Sequence, residues 1–172
     1  QPASAGLVLY FGSRQMLAQE ALYTVLRTRF PTAQLVGCST GGQMESGDVS
    51  DHVLTALALD FHHTPVKLAS TSVTDPEHSF AAGATIGREL AAEDLAGVFV
   101  LSDGLHINGS ALVEGIVSAV GVRVPVSGGL AGDGADFAET LVGCNDQPKS
   151  HSVAAIGFYG TSIQLGHGSA GG

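Results

Sequence analysis

The chain has 172 residues, of which 44% are apolar and 13% are charged, and its 7 basic and 16 acidic residues give a formal net charge of -9. A chain of this length buries roughly 70% of its unfolded surface, so it can form a real core. The negative charge repels phosphate backbones and argues against nucleic acid as a partner. No apolar run reaches the roughly 18 residues of a membrane span, which predicts a soluble protein without membrane insertion.

The first predicted unit is a strand, a helix and a second strand. An apolar strand at about 6–12 precedes a helix at about 14–30, whose apolar residues recur near the helical period, and a strand at about 33–38 follows. A β-α-β unit of this kind predicts a parallel strand pair. The next two strands, at about 52–61 and 66–73, flank a short turn, and we expect them to pair antiparallel.

A second helix begins at Thr74, Asp75 and Pro76, where Asp75 can cap the helix and Pro76 fits its first turn. In this helix Gly83, Gly87 and Ala91 follow one another every four residues, a spacing that permits close packing against a neighbouring helix.

The rest of the chain predicts another strand, a helix at about 108–120, a further strand and three final strands. About three helices then accompany about nine strands, too few to cover both faces of one wide sheet. We therefore expect either two sheets packed together or another segment over the bare face.

Two halves of the sequence repeat the same order of segments, which predicts an internal duplication over about 6–73 and 97–170. The matched pairs are GLVLYFGS (6–13) with GVFVLSDG (97–104), GCSTGG (37–42) with GGLAGD (128–133), LTALALDF (54–61) with VAAIGFYG (153–160), and VKLAST (66–71) with IQLGHGS (163–169). The expected fold class is α/β, with duplicated β-α-β-β-β units that form mixed sheets flanked by about three helices.

Three glycine-dense loops follow predicted strands, at 37–47, 103–110 and 128–134. Ligands gather beyond the carboxyl ends of parallel strands, because backbone N–H groups are exposed there. The loops therefore predict a shared pocket for a small molecule, although each could also be a tight turn between buried elements. The candidate ligand-binding residues are Cys38, Ser39, Thr40, Gly41, Asp103, His106, Asn108, Ser110, Gly129, Leu130 and Asp133.

Other roles for these residues remain open. Cys38 or Ser39, with His106 or His167 as base, could support a hydrolase or transferase, but no spacing ties them into a known motif, so we assign no catalytic residue and expect no enzyme. Asp103 could ligate a cation or cap the turn that follows it. His167 is the candidate axial ligand if an iron or haem binds, which makes haem a possible cofactor.

The cysteines indicate a reducing compartment. Cys38 and Cys144 are the only two and have no CxxC spacing, so neither a disulfide framework nor a zinc site is expected. This favours a cytoplasmic location.

Read in order, the motifs GCSTGG, DGLHINGS, GGLAGDG and GHGSAGG resemble the N-terminal portion of the FIST family, a sensory domain of signal-transduction proteins. The resemblance covers essentially the whole chain. Gly41, Gln43 and His106 depart from the family pattern, which favours alanine, glutamate and asparagine at these positions.

The resemblance implies a cytoplasmic sensor of small molecules such as amino acids. It also implies a C-terminal FIST portion after Gly172, and a signalling partner such as a histidine kinase or a diguanylate cyclase-type enzyme. A subset of the family is understood to bind haem and sense nitric oxide.

Overall fold

The computed structural model describes residues 5–45, 48–50, 53–166 and 168. The strands are β1 (Leu7–Gly12), β2 (Gln34–Ser39), β3 (Gln43–Glu45), β4 (Asp48–Ser50), β5 (Leu54–Leu59), β6 (Val66–Ser72), β7 (Leu95–Ser102), β8 (Val126–Leu130), β9 (Val142–Cys144) and β10 (Ser152–Tyr159). The helices are α1 (Arg14–Leu17), α2 (Glu20–Arg29), α3 (Ser79–Leu90) and α4 (Gly109–Val120), with a 3₁₀ turn at Pro76–His78 before α3. None of the helices in these ranges combines the length and the apolar character needed to cross a bilayer.

The strands form two mixed four-stranded sheets, in the orders β5-β1-β2-β9 and β6-β10-β7-β8, while β3 and β4 make a separate hairpin. Each sheet contains a parallel pair, β1 with β2 and β7 with β8. Each also carries an antiparallel strand on the first member of that pair, β5 on β1 and β10 on β7. The repeated pairing confirms the α/β class with mixed sheets and supports the internal duplication.

The two sheets pack against each other through an apolar layer that we call the inter-sheet core. Leu7 and Val36 enter it from the first sheet, and Leu101 and Ile156 enter it from the second. Because side chains alternate along a strand, neighbouring residues such as Val8 face the other way. The structure therefore realises the first of the two expected arrangements, in which two sheets cover each other.

The outer face of each sheet is covered by its own pair of helices. Leu17 and Leu26 of α1 and α2 pack with Val8 and Leu35 of the first sheet. On the second sheet, Ile86 and Leu112 belong to the cluster of Val98 and Val153. The order of layers is thus helices, sheet, sheet, helices.

Helices α3 and α4 approach each other closely at glycines, as the spacing predicts. A Cβ built on Gly83 would overlap the carbonyl oxygen of Leu112, and one on Gly87 would lie 2.7 Å from the carbonyl oxygen of Ile116. Ala91 lies at the exposed C-cap of α3, outside this contact.

The predicted helix at 14–30 is two helices, so the described residues contain four helices where about three were predicted. Helix α1 ends at Leu17, and Gln19 adopts an extended conformation before α2. Leu17 is completely buried, and its carbonyl oxygen accepts a hydrogen bond from the Gln147 side chain at 3.1 Å. This outside donor satisfies a carbonyl that a continuous helix would use internally.

The predicted pairing of the strands near 52–61 and 66–73 is wrong. Strand β5 pairs with β1 and β6 pairs with β10, so the link at 60–65 crosses from one sheet to the other. The crossing lets Leu59 and Leu68 pack, partly buried, against the same inter-sheet core from opposite sheets. A local hairpin would keep both strands in one sheet.

Within the part of the chain that the structure describes, two final strands, β9 and β10, form where three were predicted. Residues 163–166 have no strand, and Ile163 and Leu165 pack against the inter-sheet core. The fourth sequence match of the duplication therefore has no counterpart in strand pairing among the described residues.

Replacing Gly83 by alanine is expected to lower the free energy of unfolding. Alanine improves helix propensity by about 1 kcal/mol, but overlap with the Leu112 backbone forces α3 and α4 apart. Overpacking costs about 1–3 kcal/mol and occasionally more, and a clash with backbone atoms belongs at the upper end of that range. After the gain in propensity we therefore expect a net loss of about 2 kcal/mol in urea unfolding.

Gly129→Ala is the matched control, because nothing lies within 4 Å of a Cβ built at that position. Equal stability of Gly83→Ala and the native chain would contradict the close packing of the two helices.

Candidate functional site

The loops that follow β2, β7 and β8 meet at one edge of the molecule. The Gly132 N–H donates to the Ser39 carbonyl at 2.9 Å, which joins the third loop to the first. The Ala131 N–H donates to the Ser102 carbonyl at 2.8 Å, and Gly104 lies directly against the Ala131 carbonyl. The structure therefore brings the three glycine-dense loops together.

The first and third loops, with the segment after β1, enclose an open cleft of about 440 Å³, which we call the rim cleft. Its lining residues are Ser13, Arg14, Gln15, Thr40, Gly41, Asp133, Gly134, Ala135 and Asp136. Gly41 packs against the backbone of Gly134, since a Cβ built on it would lie 3.5 Å away. Three of the predicted residues, Thr40, Gly41 and Asp133, share this cleft.

The rim cleft contains charges of both signs. Arg14 Nη2 lies 2.9 Å from Asp136 Oδ2, and Arg14 Nη1 lies 4.0 Å from Glu139 Oε2. The Nε–H of Arg14 is buried and has no hydrogen-bond partner among the described residues. An unmet buried donor of this kind is costly, so an acceptor that reached it would relieve that cost.

Asp133 organises the loop that forms one wall of the cleft. Its carboxylate accepts N–H bonds from Phe137 at 3.2 Å, Ala138 at 2.7 Å and Glu139 at 3.0 Å. These bonds, that of Glu139 first, lower the pKa of Asp133 below its ordinary value of 3.8 against the opposing effect of desolvation, and the positive charge of Arg14 adds to the lowering. Asp133 thus holds the wall in place as a carboxylate.

Cys38 and Ser39 do not reach the cleft. Cys38 belongs to β2 and to the inter-sheet core, and burial raises the pKa of its thiol to about 12. Ser39 is completely buried, and its hydroxyl oxygen accepts the Leu141 N–H at 2.9 Å. A neutral buried thiol and a bonded buried hydroxyl are poor nucleophiles, so these positions act in the fold.

The second loop forms a separate turn at the end of β7. Asp103 is completely buried there, and its Oδ1 lies 3.2 Å from Nδ1 of the half-exposed His106. Asn108 is the N-cap of α4, with its side chain accepting the Ala111 N–H at 3.1 Å. Ser110 is exposed in the first turn of α4.

Gly129 and Leu130 belong to the edge strand β8 and are exposed. They line a groove of about 280 Å³ between β8 and the start of α4, together with Ser102 and Leu112. The predicted residues are therefore near one another but are divided between the rim cleft, the Asp103 turn and this groove. His167, the candidate haem ligand, lies outside the described residues.

Sequence reasoning missed Arg14, Asp136 and His151. Arg14 directly follows the first strand and Ser13, so the rule that ligands gather at strand ends could have found it. Asp136 and His151 stand in segments without a motif, and only the folded chain brings them to Arg14 and Asp103.

The fold and this loop edge define an α/β domain of two packed sheets with a polar cleft where parallel strands end. A family model described as FIST N domain matches residues 6–172, and the chain belongs to this family of sensory signal-transduction domains. Comparison with curated proteins finds no match to the chain.

Asp133→Asn is expected to destabilise the protein near neutral pH. The N–H of Phe137 donates to one carboxylate oxygen and those of Ala138 and Glu139 donate to the other, whereas an amide has only one oxygen and its NH₂ group cannot accept a hydrogen bond. The pKa of Asp133 is lowered in the folded state, so its contribution is complete above the ordinary pKa of 3.8 and is lost as the pH falls through the lower folded value.

Thermal unfolding from neutral pH down to about pH 2 should therefore show a gap between native chain and variant that closes in acid. The exposed Asp60 provides the control variant, Asp60→Asn, which should follow the native chain. A gap that is constant with pH would rule out the proposed role of the Asp133 carboxylate.

Proposed function

We propose that the chain is a cytoplasmic sensory module that binds an amino-acid-like molecule in the rim cleft and relays its presence to a signalling partner. The observation that carries this proposal is the pairing of opposite charges across the cleft, Arg14 with Asp136 and Glu139. Membership of the FIST N domain family supports a sensory role.

The charges of the cleft suit a zwitterion. The guanidinium of Arg14 can receive an α-carboxylate in a forked pair of hydrogen bonds, and its unpartnered Nε–H supplies one of the donors. Asp136, about half exposed at 52%, offers a carboxylate to the α-ammonium group. A zwitterion that inserts between Arg14 and Asp136 breaks their ion pair and forms two new ones, its carboxylate with Arg14 and its ammonium group with Asp136.

The relay follows from the way the wall of the cleft is built. Asp133 ties residues 137–139 into one loop, and Asp136 lies within it. A ligand that bonds to Asp136 stabilises one arrangement of this loop over others, which is the condition for a population shift. The partner, a histidine kinase or a diguanylate cyclase-type enzyme, would bind the outer surface of this loop and respond to its arrangement.

A hydrolase or transferase that uses Cys38 or Ser39 is disfavoured. Both residues are buried away from the cleft, and the thiol of Cys38 has a pKa raised to about 12 by burial. An activated cysteine requires the opposite shift.

The test is a thermal-shift screen of the chain with each of the proteinogenic amino acids. A ligand that binds only the folded state stabilises it by RT ln(1 + [L]/Kd), about 2.7 kcal/mol at a hundredfold excess over Kd. We expect at least one amino acid to raise the melting temperature in a concentration-dependent way. Its decarboxylated amine should have no effect, because it lacks the group that Arg14 receives.

Arg14→Met should abolish that stabilisation while the chain remains folded. Arg29→Met removes an exposed arginine from α2, away from the cleft lining, and is the matched control. A response that survives in Arg14→Met, or the absence of any response across the screen, would reject the rim cleft as an amino-acid site.

A further inference from the structure

The turn at the end of β7 gathers three potential metal ligands from distant parts of the chain. One ligand atom from each of Asp103, His106 and His151 lies within 4.8 Å of the other two. Asp103 and His106 share the turn, whereas His151 precedes β10. The arrangement therefore depends on the pairing of β7 with β10.

The carboxylate of Asp103 fixes both histidines through their backbones. Its Oδ1 accepts the N–H of Leu105 and of His106, each at 2.8 Å, and its Oδ2 accepts the N–H of His151 at 2.9 Å. These three bonds hold the carboxylate in a fixed position between the two histidines.

The imidazole rings of His106 and His151 are in contact with each other. Their centroids are 4.0 Å apart with an angle of 45° between the planes. His151 Nδ1 is buried and has no hydrogen-bond partner among the described residues. Its backbone φ of 55° is unusual for a residue other than glycine, so the fold holds the ring here against a local preference.

We propose that Asp103, His106 and His151 form a binding site for a divalent transition-metal ion, with Zn²⁺ as the ion that the donors suit best. Two imidazole nitrogens and one carboxylate oxygen match the ligands of zinc sites that keep a fourth position open. Magnesium and calcium prefer all-oxygen sites. The proposal does not depend on the rim cleft or its ligand.

The spacing of Asp103 and His106 and the exposure of the cluster fit such a site. Two ligands at about 2.0–2.1 Å from a tetrahedral ion lie about 3.3 Å apart, and His106 Nδ1 is 3.2 Å from Asp103 Oδ1. Asp103 is completely buried, while the His106 side chain is 36% exposed, so the ion has a route from solvent. A bound cation would also neutralise a carboxylate whose only ion-pair partner among the described residues is His106.

Without a metal, the same geometry is a histidine hydrogen-bonded to a buried carboxylate. Titration of the chelator-treated chain with Co²⁺ distinguishes a metal site from a simple hydrogen-bonded pair, because bound Co²⁺ shows visible absorption that reports on its coordination. We expect one equivalent of Co²⁺ to bind, Zn²⁺ to displace it, and Zn²⁺ to raise the melting temperature in a concentration-dependent way.

His106→Asn and His151→Asn should each weaken Zn²⁺ binding at least about tenfold. Asparagine is chosen at position 151 because it tolerates positive φ better than most residues. Melting curves without metal show whether each variant folds. If one of the two histidine variants does not fold, Zn²⁺ binding by the folded variant decides the test.

The matched controls are His62→Asn, in an exposed turn far along the chain, and His167→Asn, outside the described residues. Both should bind Zn²⁺ as the native chain does. Absence of binding, or equal binding in the native chain and in folded His106→Asn and His151→Asn, would overturn the proposal. Loss of binding in His167→Asn alone would overturn it as well.

Discussion

The inter-sheet core is the constraint on which the rest of the structure depends. Neither four-stranded sheet could be stable with one apolar face in water, and packing the two faces together buries residues such as Val36 and Ile156 completely. The same packing sets the carboxyl ends of β2, β7 and β8 at one edge, where Ser39 and Gly132 are hydrogen-bonded. The loop edge exists because the sheets share a core.

Local patterns predicted the elements of the fold but not all of their partners. Continuous apolar runs identified β1 and β7, and the glycine spacing of α3 foretold its close contact with α4. The local sequence could not predict that the chain crosses to the other sheet after β5. Apolar residues such as Leu59 and Leu68 are equally compatible with a hairpin in one sheet and with strands in two facing sheets. The break after Leu17 depends on Gln147, which lies 130 residues further along the chain.

The candidate site was predictable in its location and not in its chemistry. Glycine-dense loops after strands pointed to the edge that holds Thr40, Gly41 and Asp133. Cys38 was predicted as a ligand-binding residue together with them, although its side chain lies in the inter-sheet core. Side chains alternate between the two faces of β2, and the sequence alone does not show which face packs against the other sheet. Arg14 could be recognised as a candidate binding residue only from the structure, because folding places Asp136 beside it.

One segment borders both the rim cleft and the cluster of Asp103 with its two histidines. Residues 131–141 contribute Asp133 to the cleft wall, and Ala131 and Thr140, near the two ends of the segment, both touch the turn after β7. Thr140 Oγ1 accepts the N–H of Gly104 at 2.9 Å, one residue beyond the buried carboxylate. A displacement of this segment would either break these bonds or move the turn with it, so two short contacts link the wall of the cleft to the turn. Packed interfaces of this kind pass on a displacement because they resist gradual deformation.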